Sequence, residues 1–360
     1  MMWTNHSSYK VRVSLSRRFI PVEKLRQGIP VLIVLGAFFV LSAARDDVPN
    51  SLADFAEAKN LVAKKRWADA VIAYKNILKG DPAYTPASVE LARALTHLSR
   101  REEAIGVLNH ALQYEKGSDR TVLIRQARVL SRLFLTKESV QSFQVGLNLL
   151  FTKKFRAAKD RFYQVLQDEP DNIEILVRLG QCLLLEGDPD SSAERLRLAK
   201  KLNPYEPEVN LWLGRALHQR GELSQAIEEL RSARADLKDS EVAPLWLSEA
   251  LLDSGQRGVA IEILDTDVKA HPFHLGSLLA SAQLRYRFLA KDLNELWGIR
   301  KELQLALSRA EEYASPKFPR TEGELGLELR DPARLQIEAQ ALLKKVEARI
   351  QGQRGTESYN

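Results

Sequence analysis

Residues 146–170 read GLNLLFTKKFRAAKDRFYQVLQDEP, and residues 180–204 read GQCLLLEGDPDSSAERLRLAKKLNP. The two segments start thirty-four positions apart and share one pattern. A glycine (Gly146, Gly180) is followed twelve residues on by a small residue (Ala158, Ser192) and twelve further by proline (Pro170, Pro204). Leu149 and Phe162 of the first segment become Leu183 and Leu196 in the second. The pattern continues downstream as Gly214, Ala226, Leu230 and as Ser248, Ala260, Leu264, Pro272. Upstream it runs Ala58, Ala70, Tyr74, Pro82 and Ala92, Ala104, Leu108, Ala111. A fixed period of this size describes stacked helical hairpins, each too small to bury its apolar face alone.

The spacing has a direct physical reading. The small residues mark where the two helices of a hairpin approach most closely, since a larger side chain would push the axes apart. Leu179, Leu183, Leu213, Leu217, Leu247 and Leu251 fall four apart on one face of each first helix. Turns such as Glu186-Gly187-Asp188, Arg220-Gly221-Glu222 and Ser254-Gly255-Gln256 join the paired helices. Pro82, Pro170, Pro204 and Pro272 end the second helices, because proline lacks the donor a continuing helix needs. Trp212 and Trp246 read as packing residues, and the lone Cys182 as a small buried hydrophobe that cannot form an intrachain disulfide.

The array resembles the tetratricopeptide repeat family over roughly residues 51–310. The resemblance implies an all-α, right-handed superhelical solenoid. Its partners would be protein or peptide segments, with no cofactor and no small-molecule substrate. The register slips once: the copy beginning near Ser139 arrives twenty residues later than the period requires. The interval holds TVLIRQARVLSRLFLT (residues 121–136), an extra helix with Arg125, Arg128 and Arg132 on one face. Two sub-arrays, 51–115 and 139–314, are therefore expected on either side of an inserted helix at 116–138. Asp331-Pro332 starts a last helix over 331–351. Its stripe Leu335, Ala339, Leu342, Leu343, Val346, Ile350 suits a cap over the open end of the solenoid, leaving a flexible tail at 352–360.

Residues 28–44 (GIPVLIVLGAFFVLSAA) contain no charge, enough for a short membrane span. Six basic residues precede them against Glu23, so residues 1–27 hold +5 of the chain's +6. The positive-inside rule puts that basic tail in the cytoplasm and the repeats across the membrane. This is a single-pass inner-membrane topology with the repeats periplasmic. Ser42-Ala43-Ala44 also resembles a signal-cleavage site, and either outcome exports the repeats. Nucleic acid is not an expected partner, because the charges of residues 28–360 nearly balance.

No phosphate-binding glycine loop, nucleophile elbow or zinc-protease motif occurs, so no enzymatic activity and no catalytic residue is expected. His271-Pro272-Phe273-His274 offers two imidazoles, but the proline and the repeat-ending loop argue against a metal pair. The family lines its groove with the first helix of each hairpin. The resemblance therefore nominates Phe143, Leu147, Leu150, Phe151, Val177, Gln181, Leu184, Leu211, Arg215, Leu245 and Glu249, together with Leu185, His218 and Leu252. Phe55, Lys59 and Glu90 stand where a clamp for chaperone C-termini would need lysine and two asparagines, so that clamp is not expected. Two readings of the groove leucines stay open: an apolar trough for a helix or extended peptide, or seams between neighbouring hairpins. The function implied is a membrane-tethered scaffold assembling a bacterial cell-envelope complex. The alternative is an anchored, cytosol-facing receptor or co-chaperone.

Overall fold

A computed structural model describes residues 51–313 and 332–357. The basic tail at 1–27, the span at 28–44 and the last three residues lie outside the described residues. Among those described there are sixteen α-helices and no strand. The first four are α1 (Ser51–Ala63), α2 (Trp67–Gly80), α3 (Thr85–His97) and α4 (Arg101–Tyr114), forming two hairpins. An unpaired α5 (Asp119–Arg132) follows. The next four hairpins are α6 (Lys137–Phe151) with α7 (Phe155–Asp168), α8 (Ile173–Leu185) with α9 (Pro189–Leu202), α10 (Pro207–Gln219) with α11 (Leu223–Asp236), and α12 (Val242–Asp253) with α13 (Arg257–Ala270). A last pair, α14 (Leu275–Phe288) and α15 (Leu293–Tyr313), is covered by α16 (Pro332–Glu357). Among the described helices, that covering follows the expected apolar stripe. Leu335, Ala339, Leu342, Val346 and Ile350 are buried against Leu279, Leu296 and Leu303. The helix continues past residue 351, since the glycines there each cost a helix only about 1 kcal/mol and no proline intervenes.

The small residues do two separate jobs. Ala158, Ala226 and Ala260 are fully buried, as close helix approach demands. Gly146, Gly180 and Gly214 are required for space: a Cβ would stand 2.5 Å from Phe162, 2.7 Å from Leu196 and 2.6 Å from Leu230. In the turns the need is for backbone conformation. Gly187, Gly221 and Gly255 have φ between +78° and +86°, and Lys65, Ser99 and Lys153 hold the corresponding left-handed position without glycine. Gly214→Ala should therefore cost about 1–3 kcal/mol by overpacking, outweighing the helix-propensity gain. The same change at Gly106, where nothing lies within 4 Å, should raise stability instead. Urea midpoints moving in the same direction for both variants would contradict this division.

The register slip has a structural cause. The inserted helix ends at Arg132, short of the expected Thr136, because Thr136 is the N-cap of α6 and accepts the Ser139 N–H at 3.0 Å. Helix α5 continues the first sub-array by packing on α4, and it also touches α8. The α4–α5 face thus lies across the turns joining α7 to α8 and α9 to α10. Asn109 donates to the Leu202 carbonyl at 3.0 Å, and Arg128 Nε to the Tyr205 carbonyl at 2.8 Å. Arg101, fully buried at the start of α4, pairs with the buried Glu169 and with Asp171. Of the arginines expected on one face, Arg125 is exposed, whereas Arg128 and Arg132 reach the second sub-array.

Candidate functional site

The first helices α6, α8, α10 and α12 carry the nominated groove residues at positions equivalent under the period. Phe143, Val177, Leu211 and Leu245 share one column, and Leu147, Gln181, Arg215 and Glu249 the next. Of the two readings left open for these side chains, burial favours the seam between hairpins at most of the nominated positions. Phe143, Leu150, Val177, Gln181, Leu184 and Leu211 are buried. Leu147, Arg215, Leu245 and Glu249 are half-buried, and Phe151 is exposed. The reason is that successive first helices touch one another as well as their own partners, α8 against α10 and α10 against α12. Val177, Leu184 and Leu211 consequently close the seam between hairpins, inside the same cluster as the fully buried Trp212. Trp212 meets Trp246 edge-on at 5.0 Å. Cys182 is also fully buried, and burial pushes its thiol up to about 12.

What remains accessible on this face is a line of ion pairs stepping from one first helix to the next. Arg178 of α8 reaches Glu208 of α10 at 2.8 Å, and Arg215 of α10 reaches Glu249 of α12 at 2.5 Å. His218 Nε2 lies 2.8 Å from Asp253. Arg215 also stands over the Trp246 ring, 5.1 Å from its centroid. At the upstream end Arg132 of α5 joins the line, with Glu174, with Glu208 at 2.7 Å and with Glu206 at 3.0 Å. Sequence reading placed Arg132 on a separate helix and gave it no partner, because its acids lie more than forty residues away. The thirty-four-residue offset between Arg215 and Glu249 was the available signal, since equivalent positions of adjacent repeats are spatial neighbours.

The electrostatics follow from this crowding. Burial by itself would lower the Arg132 guanidinium, yet Glu174, Glu208 and Glu206 outweigh it and hold it above its ordinary value. Burial would raise Glu208, but the charges of Arg178 and Arg132 hold it below its ordinary 4.5. A carboxyl with a depressed folded-state pKa stabilises the fold above its unfolded pKa. That contribution is lost as pH falls through the folded value, because the unfolded chain takes up the proton first. Stability should therefore fall as pH drops below about 4.5, by up to about 1.4 kcal/mol per pH unit for this group. Arg132→Leu should flatten that dependence, and equal slopes for variant and wild type in urea titrations from pH 7 to pH 3 would contradict it.

A second cluster forms around the His271-Pro272-Phe273-His274 turn. Asp267, in the last turn of α13, receives His271 Nδ1 at 3.1 Å and His274 Nδ1 at 2.9 Å. The two imidazoles stack with centroids 4.6 Å apart. The two imidazoles, which the sequence offered without a third partner, gain a carboxylate because the helix brings Asp267 back over the turn, four residues from His271.

Comparison with known proteins agrees with the repeat reading. Residues 61–120, 152–210 and 183–245 match the tetratricopeptide repeat family model. Similar solved structures include the MamA protein, at 21% identity and TM-score 0.40, covering 50% of this chain and 96% of that one. MamA from Desulfovibrio magneticus RS-1 (residues 41 to the end) is similar at 15% identity and TM-score 0.42, covering 50% and 99%. YrrB, described as a TPR protein with an unusual peptide-binding site, is similar at 19% identity and TM-score 0.35, covering 58% and 97%. Likeness at these levels concerns the helical-repeat fold alone. No curated protein matches the chain. The described residues form an all-α helical-repeat solenoid, and the matched stretches within it are of the tetratricopeptide type. Among the described residues no helix is long and apolar enough to cross a membrane.

Proposed function

We infer that this chain is a scaffold that holds protein segments on its first-helix face. It is tethered to the inner membrane by residues 28–44 and presents its repeats outside the cytoplasm to a cell-envelope complex. The observation that supports binding is the composition of the accessible line. Phe151 is 56% exposed, Leu147, Leu245 and Leu252 are half-buried, and Arg215, His218 and Glu249 stand on the same series of first helices. Apolar anchors next to charged side chains give a partner segment both buried area and a fixed register. The tether rests on the uncharged run at 28–44 and on the basic excess before it.

Two measurements test the two parts separately. A reporter fused after Asn360 should be active only if it requires export, whereas activity of a cytosol-dependent reporter alone would replace this reading with an anchored receptor facing the cytosol. For binding, Phe151→Glu should strip co-purifying proteins from the detergent-solubilised chain. Its thermal midpoint should hardly change, because Phe151 ends α6 in solvent. Retention of every co-purifying protein would place the working surface elsewhere. Leu184→Glu, by contrast, should unfold its hairpin, since Leu184 is only 4% exposed.

A further inference from the structure

We propose that Asp267, His271 and His274 form a binding site for one zinc-like divalent transition-metal ion, clamping the end of α13 to the start of α14. Three observations carry it. The first is convergence: one ligand atom from each residue lies within 4.8 Å of the other two. His271 Nδ1 meets Asp267 Oδ1 at 3.1 Å and His274 Nδ1 meets Oδ2 at 2.9 Å, close to the roughly 3.3–3.5 Å that separates ligand atoms of a tetrahedral zinc, and sharing one oxygen requires the carboxylate and the stacked rings to turn.

The second comes from the repeats. Counting back in steps of thirty-four, the position of Asp267 holds Ala233, Ala199 and Val165, all buried core residues. The position of His271 holds Leu237, Asn203 and Glu169, and that of His274 holds Ser240, Glu206 and Asn172. The repeats therefore do not require a carboxylate at the position of Asp267, and they hold no histidine at the other two. Asp267 is 95% buried by side chain, at a site where alanine suffices and where a carboxylate carries a desolvation cost. The carboxylate and both imidazoles thus occur together in one repeat, and they meet one another there.

The third is the surroundings. A carboxylate only accepts hydrogen bonds, so in the metal-free state both Nδ1 atoms carry the proton and donate to Asp267. A bound ion would displace those two protons and take Nδ1 of each ring and one Asp267 oxygen. His271 Nε2 would then be free to donate towards Asp239, whose Oδ1 lies 3.6 Å away, as a second-layer carboxylate supports a ligating histidine. Glu241, which accepts the Gly276 N–H at 2.5 Å, adds negative charge on the α14 side. Two nitrogens and one oxygen suit zinc over magnesium or calcium, which prefer all-oxygen shells. His271 is 28% exposed by side chain and gives the ion an approach from solvent, which also supplies the fourth ligand.

The test uses the full, untagged chain in detergent, stripped of metal and titrated with Zn²⁺ against a chromophoric chelator at pH 7.5. One Zn²⁺ per chain is expected, released as pH falls and the imidazoles reprotonate. Zn²⁺ should raise the thermal midpoint, and Mg²⁺ at the same concentration should leave it unchanged. Asp267→Ala should weaken binding by more than about tenfold while folding normally in chelator, because alanine already serves at the equivalent positions 199 and 233. His271→Leu and His274→Ser, which reproduce residues 237 and 240, provide the same test independently of that variant's folding. Equal Zn²⁺ affinity in wild type and all three variants, or no shift in the wild-type midpoint, would overturn the proposal.

Discussion

Replacing Arg101 by methionine should destabilise the chain by about 3–5 kcal/mol, the usual result of removing one partner from a buried ion pair. Both Arg101 and Glu169 have fully buried side chains. Glu169 also accepts the Leu135 N–H at 2.7 Å, and Asp171 pairs with the other guanidinium nitrogen at 2.7 Å. Without Arg101 the Glu169 charge stays dry and unpaired, at the point where the α4 end of the first sub-array meets the turn between α7 and α8. Arg101→Met combined with Glu169→Gln should recover most of the loss, since glutamine can still accept the Leu135 N–H and carries no charge. Urea unfolding followed by circular dichroism reads both. A loss below about 1 kcal/mol for the single variant would mean that the sub-arrays do not meet through this pair.

A comparable loss is expected at Phe162. Its ring is fully buried, fills the space that Gly146 leaves open, and packs on Phe143 with centroids 5.4 Å apart. Phe143 in turn packs on Phe134, in the segment after α5, at 4.9 Å. Phe162→Ala should cost about 3–5 kcal/mol by cavity formation. Phe162→Leu should cost much less, because Leu196, Leu230 and Leu264 hold the equivalent position in the following hairpins and are fully buried there. Similar losses for alanine and leucine would show that the site depends on the aromatic contact and not on filled volume.

The hairpins were legible because period and packing share one cause. Gly146, Gly180 and Gly214 recur where helices press together, and Leu335 to Ile350 recur where a cap must cover an open end. The groove was less legible. A first helix has three apolar directions in a tightly stacked array, so Val177 and Leu211 look alike in sequence whether they face a seam or a ligand. The lateral docking of the first sub-array was not legible at all. In sequence Arg128 and Arg132 share only a helix face and Arg101 carries no pattern, and the partners of Arg101 and Arg128 lie 68 to 108 residues away. Asp267 was legible in principle. It is charged in a column otherwise filled by Val165, Ala199 and Ala233, a signal visible once the repeats are laid over one another.

The claim that the first-helix face holds another protein is tested most directly by residue-specific photocrosslinking in cells. A photoreactive side chain at Phe151 or Glu249 should give discrete adducts with another protein. The same probe at Leu198 or Val259, exposed on second helices of the same sub-array, should give none. Adducts formed only at Leu198 or Val259, or equally at all four positions, would contradict it.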